Sequence, residues 1–108
     1  MVTYVYDGDT CTVDIDLGLN TWIRGEKLRL HRINAPELRG PEREQGLKSR
    51  DFLREQIDGK EVFVQTIKDK RGKYGRYIAE IWLPGEGDTW VNVNDLMVEK
   101  HQARYQQY

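Results

Sequence analysis

Five short segments rich in β-branched and aromatic residues, set apart by turns that contain Gly or Asp, dominate this 108-residue sequence. They comprise residues 2–5, 11–15, 21–33, 62–67 and 77–83. Such segments are typical of β-strands, and five strands are enough to build a small barrel. The length fits one domain, and no linker, repeat or low-complexity tract divides the chain. We therefore expect a single domain over residues 1–108.

Helical periodicity interrupts the strands between the third and the fourth segment. Pro41 can open this helix and Gly59 can close it. Its apolar positions have helical spacing and are Leu47, Phe52, Leu53 and Ile57. A second, shorter helix is predicted after Val91 from a narrow apolar stripe. That stripe consists of Val93, Leu96 and Met97.

The composition argues against several classes of protein. No run approaches the roughly 20 apolar residues needed to cross a bilayer, and the first residues lack the basic and apolar regions of a signal peptide. We therefore expect no membrane partner. Cys11 is the single cysteine, so an internal disulfide is impossible, and two histidines add too few ligands for a zinc site. The compartment stays open, because a secreted protein can also lack disulfides.

Charge is unevenly distributed along the chain, although the formal net charge is only -1. Residues 24–76 hold 15 of the 17 basic residues but 9 of the 18 acidic ones, so the middle is cationic and the ends are acidic. Within it, residues 68–76 carry five positive charges, one negative charge and an interleaved tyrosine. This run suits a phosphate-binding loop. Taken alone, it fits a solvated hairpin loop better, because charged turns that contain Gly are common on any surface.

Three local motifs carry residue types suited to chemistry. Asp-Gly-Asp-Thr at residues 7–10 sets two carboxylates at a strand-to-strand turn. In residues 29–37 a strand breaks at Pro36 and leaves Glu37 in a loop, where catalytic groups are common. Lys-Tyr-Gly-Arg at residues 73–76 ends at the start of the last long strand. One motif alone decides nothing, because Asp-Gly is a common hairpin turn and two acids do not define a metal site.

Taken together and in this order, the three motifs resemble those of the staphylococcal-nuclease-like, or thermonuclease, family. The resemblance covers nearly the whole chain, from Val5 to about Tyr108. It implies an α+β fold that is mainly β, namely a five-stranded OB-fold built as a Greek-key barrel with two flanking helices. The number of strands predicted from the sequence agrees. We expect the family's usual third helix to be absent.

The resemblance assigns the family's catalytic trio to Arg29, Glu37 and Arg76. Phosphodiester hydrolysis builds negative charge on the equatorial oxygens, and guanidinium groups suit it because they stay charged and can bond two oxygens at once. A carboxylate that reaches the attacking water can act as general base, which is the role implied for Glu37. Taken one at a time, each of these three residues fits a structural ion pair better than a catalytic role. The implied enzyme is a nuclease that cleaves the 5′ P–O bond of DNA and RNA and leaves 3′-phosphate ends.

The family also uses a calcium ion, and the resemblance assigns its ligands to Asp9, Asn34 and the backbone carbonyl of Ala35. Asn34 stands where the family has an aspartate, and this is the main departure from the family pattern. Calcium affinity depends on the charge of the ligands. The neutral amide should therefore weaken binding unless a nearby acid such as Asp7 compensates.

Nucleic acid is the implied partner. Tyr74 and Tyr108 match tyrosines that line the family's nucleotide pocket, although Tyr108 fits a disordered terminal residue equally well. The basic residues expected to contact phosphates are Lys70, Arg71 and Lys73. A base can stack on a tyrosine only when it is not stacked on its own neighbours, and any base can do so. We therefore expect single-stranded DNA or RNA to be preferred. We expect the protein to act as a monomer.

A second function stays open beside the enzyme. Some members of this family have lost catalytic residues and serve as nucleic-acid or protein binding modules. The neutral residue at Asn34, together with the expected absence of the third helix, admits the same function here. Retention of both arginines and the glutamate favours the enzyme.

Overall fold

The computed structural model describes residues 1–71 and 76–106, with side chains for residues 1–67 and 76–106. The first half of the chain forms β1 (Val2–Asp7), β2 (Thr10–Asp16), β3 (Trp22–Leu30), β4 (Ile33–Asn34) and α1 (Arg43–Ile57). The second half forms β5 (Phe63–Arg71), β6 (Tyr77–Pro84), β7 (Trp90–Asn92), α2 (Val93–Glu99) and β8 (Arg104–Tyr105). None of these helices is long and apolar enough to cross a membrane.

The five longest strands form one curled sheet in the order β1-β2-β3-β6-β5, and β7 pairs with the end of β6. Neighbouring strands are antiparallel except β3 and β6, which run parallel with Leu28 opposite Tyr77. Two backbone hydrogen bonds of 3.0 Å join Val2 to Gly59 and Lys60, just before β5. The sheet is thus a half-barrel of the OB-fold type, and the predicted mainly β fold with five principal strands and two helices is confirmed.

The third predicted strand is wrong at its end. It was expected to continue to residue 33, but β3 stops at Leu30, and Arg32 has a left-handed backbone with φ of 68°. The chain reverses there, and Ile33 and Asn34 pair with β8 in a separate two-stranded sheet. The apolar alternation through Ile33 concealed this break, because arginine is not a residue type that marks a left-handed turn.

Both predicted helices are present. A short 3-10 turn at Gly40–Glu42 contains Pro41 and leads into α1, and Gly59 lies two residues beyond the last helical residue with φ of 71°. The helix buries Gly46, Ser49, Leu53 and Ile57. The predicted Leu47 and Phe52 lie beside this face and are only partly buried. In α2 the side chain of Asn92 caps the first turn by accepting a 2.9 Å bond from the N–H of Asp95.

The hydrophobic core lies between the concave side of the sheet and the two helices. It contains Val2, Val5, Cys11, Val13, Leu28, Leu30, Ile33, Leu53, Ile57, Ala79, Ile81, Val93 and Met97. Burial raises the pKa of the Cys11 thiol to about 12, with the negative charge of Asp7 as a second cause. This cysteine is therefore an inert apolar side chain at neutral pH.

Candidate active site

The turn between β1 and β2 lies against both the loop after β4 and helix α1. Asp7 pairs with Thr10 across this turn, so that Gly8 projects toward the helix. A Cβ atom at position 8 would lie 2.7 Å from the Cβ of Ala35 and 2.8 Å from the Cβ of Ser49. Such contacts are closer than carbon atoms allow. Glycine is therefore required for the turn to reach this position.

Asp9 connects three parts of the fold through one buried carboxylate. Its Oδ2 accepts a 2.8 Å hydrogen bond from the backbone N–H of Ala35 and lies 3.3 Å from Nη2 of Arg29. Its Oδ1 accepts a 3.2 Å bond from the hydroxyl of Thr10. Each bond compensates for hydration lost on burial. The turn, the end of β3 and the loop after β4 are thereby held at one point.

Arg29 lies at the end of β3 with its side chain only 10% exposed. Besides the ion pair with Asp9, its Nη1 donates a 2.7 Å bond to the carbonyl of Leu30. Its Nη2 also donates to Oδ1 of Asn34 at 3.4 Å. The guanidinium is thus fixed in position, and it brings the predicted residues Asp9, Arg29 and Asn34 into one cluster.

Arg76 reaches the same turn from the other side. It precedes β6, whose parallel pairing with β3 brings the start of β6 beside the last residues of β3. Nη1 of Arg76 donates a 3.3 Å hydrogen bond to the hydroxyl of Thr10. Two guanidinium groups, one from the end of β3 and one from the residue before β6, therefore contact adjacent residues of the turn, Arg29 at Asp9 and Arg76 at Thr10.

Glu37 has an exposed side chain in the loop that follows β4. The backbone of this loop is packed tightly against α1: a Cβ atom at position 46 would overlap the carbonyl group of Glu37. The carbonyl of Leu38 also accepts a 3.1 Å bond from Nη1 of Arg43. The helix therefore fixes the backbone from which the Glu37 carboxylate extends into solvent.

Asp7 completes the acidic part of the site. Its Oδ1 accepts a 3.0 Å hydrogen bond from the N–H of Asp9. Burial, followed by the negative charge of Asp9, raises the pKa of Asp7 to about 7. Two carboxylates are therefore crowded together at this turn, which is an arrangement that a cation would relieve.

The donor set fits a hard divalent cation. Carboxylate oxygens of Asp7 and Asp9, the amide oxygen of Asn34 and the carbonyl of Ala35 are the kinds of ligand that calcium takes. The described residues contain no group of three or more His, Cys, Asp and Glu side chains suited to hold a metal. A cation here would depend on two carboxylates, with an amide and backbone oxygen as neutral ligands.

The predicted substrate-binding residues all lie outside the part of the chain for which the structure describes side chains. Lys73, Tyr74 and Tyr108 lie outside the described residues, and for Lys70 and Arg71 only the backbone, within β5, is described. Sequence reasoning gave Thr10 no role, although its hydroxyl links Asp9 to Arg76. The position of Thr10 in the Asp-Gly-Asp-Thr motif is the sequence feature that could have indicated this role.

Comparison with known proteins identifies the family. A family model described as "Staphylococcal nuclease homologue" matches residues 27–108. The chain belongs to this family. The matched range includes Arg29, Glu37 and Arg76, and the predicted family is confirmed.

Three known proteins are similar to this chain at about 30% identity. A thermonuclease of Staphylococcus intermedius is 29% identical over 96 residues, covering 86% of this chain and 52% of that protein. A thermonuclease of Staphylococcus hyicus is 30% identical over 88 residues, with coverages of 79% and 48%. An uncharacterized protein of Bacillus anthracis is 31% identical over 104 residues, with coverages of 91% and 42%. The chain thus spans about half the length of these relatives.

Proposed function

We propose that this protein is a calcium-dependent nuclease that hydrolyses phosphodiester bonds of DNA and RNA, breaking the 5′ P–O bond and leaving 3′-phosphate ends. The observation that carries the proposal is the convergence of Arg29 and Arg76 on the Asp9–Thr10 turn. The two relatives named thermonuclease support the same class of reaction.

In this proposal the two arginines stabilise the transition state. Attack of water on phosphorus places additional negative charge on the equatorial oxygens, and a planar guanidinium can bond two of them. Arg29 is already held by Asp9, Asn34 and the carbonyl of Leu30, so it needs little reorganisation during the reaction. Preorganised charge in a water-poor site is commonly the largest single contribution to catalysis.

Glu37 is the proposed general base. Its exposed carboxylate can take a proton from water while the water oxygen bonds to phosphorus. The bond between phosphorus and the 5′ oxygen then breaks, and that oxygen leaves as a hydroxyl after taking a proton from solvent. A positioned base of this kind contributes about 10²- to 10⁴-fold to the rate.

Asp9, Asn34 and the carbonyl of Ala35, with Asp7 beside them, are the residues proposed to hold calcium. A bound calcium ion supplies positive charge that neutralises the oxygens of the reacting phosphoryl group. Asn34 contributes a neutral oxygen where the family has a charged one, so the proposed affinity is lower than a full set of aspartates would give.

The proposed substrate is single-stranded or locally melted nucleic acid, cleaved by a monomer. Tyr74 and Tyr108 are proposed to contact the nucleotide, and the basic residues Lys70, Arg71 and Lys73 to contact phosphates. The supporting observation is the cationic character of residues 24–76, since phosphate contacts dominate nucleic-acid affinity.

A binding module with little or no catalysis is the second candidate. Asn34 favours it, because one fewer negative ligand weakens any calcium site. Incubating the protein with denatured DNA in calcium, and then in a chelator, separates the two functions. The nuclease predicts fragmentation in calcium alone, whereas the binding module predicts a mobility shift without fragments in both.

A further inference from the structure

Three arginines lie along one side of α1, beside its buried face. At 100° per residue, Arg43, Arg50 and Arg54 fall within about 40° of one another around the helix axis and span about 16 Å along it. Asp51 is paired with Arg50 at 3.1 Å and neutralises one of them. This arginine strip, defined as Arg43, Arg50 and Arg54, therefore keeps a net positive charge.

Contacts at its two ends connect the strip to different parts of the fold. Arg43 donates to the carbonyl of Leu38, one residue after Glu37. Arg54 donates through Nε and Nη2 to the carbonyl of Val5, at 3.2 and 3.0 Å. The strip thus begins at the loop that carries the proposed general base and ends at β1, an edge strand of the main sheet.

Two exposed aromatic residues lie on β1, and one of them, Tyr4, is close to Arg54. Tyr4 and Tyr6 are each 52% exposed, and the guanidinium of Arg54 lies 5.6 Å from the ring centroid of Tyr4. The register between β1 and β2 shifts between Val5 and Asp7, which makes Tyr6 the additional residue of a β-bulge. Bulges are frequent next to active sites, where they redirect a side chain. Here the bulge adjoins the turn that carries Asp7 and Asp9.

Exposed tyrosines beside arginines match the chemistry of single-stranded nucleic acid. Bases stack on aromatic rings whatever their identity, and guanidinium groups pair with phosphates. A second exposed aromatic pair consists of Phe63 and Trp90, whose ring centroids are 4.8 Å apart. The turn next to this pair carries the acidic residues Glu86 and Asp88. Negative charge of that kind disfavours a polyanion.

We propose that Tyr4 and Tyr6 together with the arginine strip form a second nucleic-acid subsite, which binds the single strand where it continues beyond the phosphate at Arg29 and Arg76. The inference rests on the part of the proposed function that makes single-stranded nucleic acid the ligand, whether or not the strand is cleaved. It explains why a half-exposed tyrosine stands at a bulge directly before Asp7.

Binding of fluorescent oligothymidylates of two and twelve nucleotides tests the subsite. The Glu37→Gln protein is used throughout so that the oligonucleotides stay intact. Adding Tyr4→Ala and Tyr6→Ala should weaken binding of the twelve-nucleotide probe at least about fivefold, the lower limit for losing one stacked base. Binding of the two-nucleotide probe should change less than about twofold, because that probe fills only the site at Arg29 and Arg76.

The arginines are tested separately by salt dependence. Adding Arg43→Gln and Arg50→Gln to the same background should reduce the slope of log affinity against log salt by about 1.4 for the longer probe, since each phosphate contact with a single strand contributes about 0.7. Circular dichroism verifies that each variant is folded. This second pair keeps the test decisive if the tyrosine variant does not fold.

Trp22→Ala is the matched control. The guanidinium of Arg24 lies 4.6 Å from the ring centroid of Trp22, which is 43% exposed, so the local arrangement resembles Tyr4 and Arg54. Trp22 begins β3 and Arg29 lies seven residues later, about 23 Å away along an extended strand. Loss of this ring should leave binding of both probes unchanged.

The outcomes separate the subsite from the proposed function. Equal binding of the longer probe by the tyrosine variant and its parent, or an equal loss for Trp22→Ala, overturns the subsite even if the wild type cleaves DNA in calcium. That result would leave the strip as a surface for a protein. A length-dependent loss in the tyrosine variant supports the subsite, and if the wild type then fails to cleave, the proposed nuclease is wrong while the subsite stands.

Discussion

Among single residues, Asp9 connects three separate parts of the candidate site. Its carboxylate contacts Arg29 on β3, the N–H of Ala35 after β4 and the hydroxyl of Thr10 on β2. Breaking a buried ion pair by removing one partner typically costs about 3–5 kcal/mol. Asp9 therefore serves the fold as well as the proposed calcium site, so variants at Asn34 are cleaner probes of calcium.

Asn34→Asp should tighten calcium binding about tenfold or more. The substitution adds one negative ligand, and two unit charges about 4 Å apart interact by roughly 4 kcal/mol at an effective dielectric near 20. Arg29, whose Nη2 lies 3.4 Å from Oδ1 of Asn34, will neutralise part of the added charge. Even so, a gain of about 1.4 kcal/mol is enough for a tenfold change. Isothermal titration of calcium into both proteins measures it.

Asp9→Ala provides the control for that titration, because it removes the proposed charged ligand. Its calcium signal should be absent. If wild type and Asn34→Asp bind calcium equally, another acid such as Asp7 already completes the site, or the ion binds elsewhere.

Among the elements, α1 fixes the loop that carries Glu37, and Gly46 makes the closest approach. Gly46→Ala should destabilise the protein by about 1–3 kcal/mol, since the new methyl group would overlap the Glu37 carbonyl. In an unobstructed helix the same change stabilises by up to about 1 kcal/mol, so the sign is diagnostic. Urea denaturation measures the difference, and Lys48→Ala, at an exposed position on α1, is the control. A stabilised Gly46→Ala protein would show that the loop can move away from α1 freely.

The same elements show what could be predicted from sequence. Strands β1, β2, β5 and β6 and both helices follow from local apolar periodicity. The end of β3 does not, because the left-handed Arg32 is held by Glu80 on β6 and Asp95 on α2, which are distant in sequence. The grouping of Asp9, Arg29 and Asn34 in one site was predicted only through the resemblance to the family that the three motifs carry. The arginine strip was missed, because its members have the pattern of ordinary surface residues on a helix.

At the scale of the whole molecule, Arg32 joins the half-barrel to its C-terminal part. Its guanidinium pairs with Glu80 and, at 3.0 Å, with Asp95, while its backbone carbonyl accepts a 2.8 Å bond from Gln106 beyond β8. Tyr105 donates a 2.8 Å bond to the same Asp95 oxygen. One arginine therefore holds β6, α2 and the segment at β8 around β4, which carries Asn34.

This connection should make stability depend on pH through Asp95. Partial burial opposes its ionisation, but the bonds from Arg32 and Tyr105 outweigh burial and hold the pKa of the carboxyl below its usual range. A lowered pKa stabilises the fold above the unfolded value of about 3.9, and this contribution is lost as pH falls through the folded value. Asp95→Asn should therefore lower the free energy of unfolding by less than about 1 kcal/mol at pH 7, because the ion pair is partly exposed. This loss of stability should become progressively smaller between pH 5 and pH 3.

Urea denaturation across that pH range measures the effect. Asp88→Asn changes the net charge equally at an exposed position and is the matched control. A stability loss for Asp95→Asn that stays constant from pH 7 to pH 3 would contradict the role given to its ionised carboxylate.

We propose that Glu37 acts with Arg29 and Arg76 in hydrolysis, and single-turnover cleavage of a single-stranded oligonucleotide by Glu37→Gln is the sharpest test of this role. The exposed side chain can be changed without disturbing the core, and the amide is nearly the same size but cannot take a proton. At saturating calcium and enzyme, we predict a rate at least about 10²-fold below wild type, with binding of the oligonucleotide retained. A Glu37→Gln protein that cleaves at the wild-type rate would show that Glu37 is not the general base.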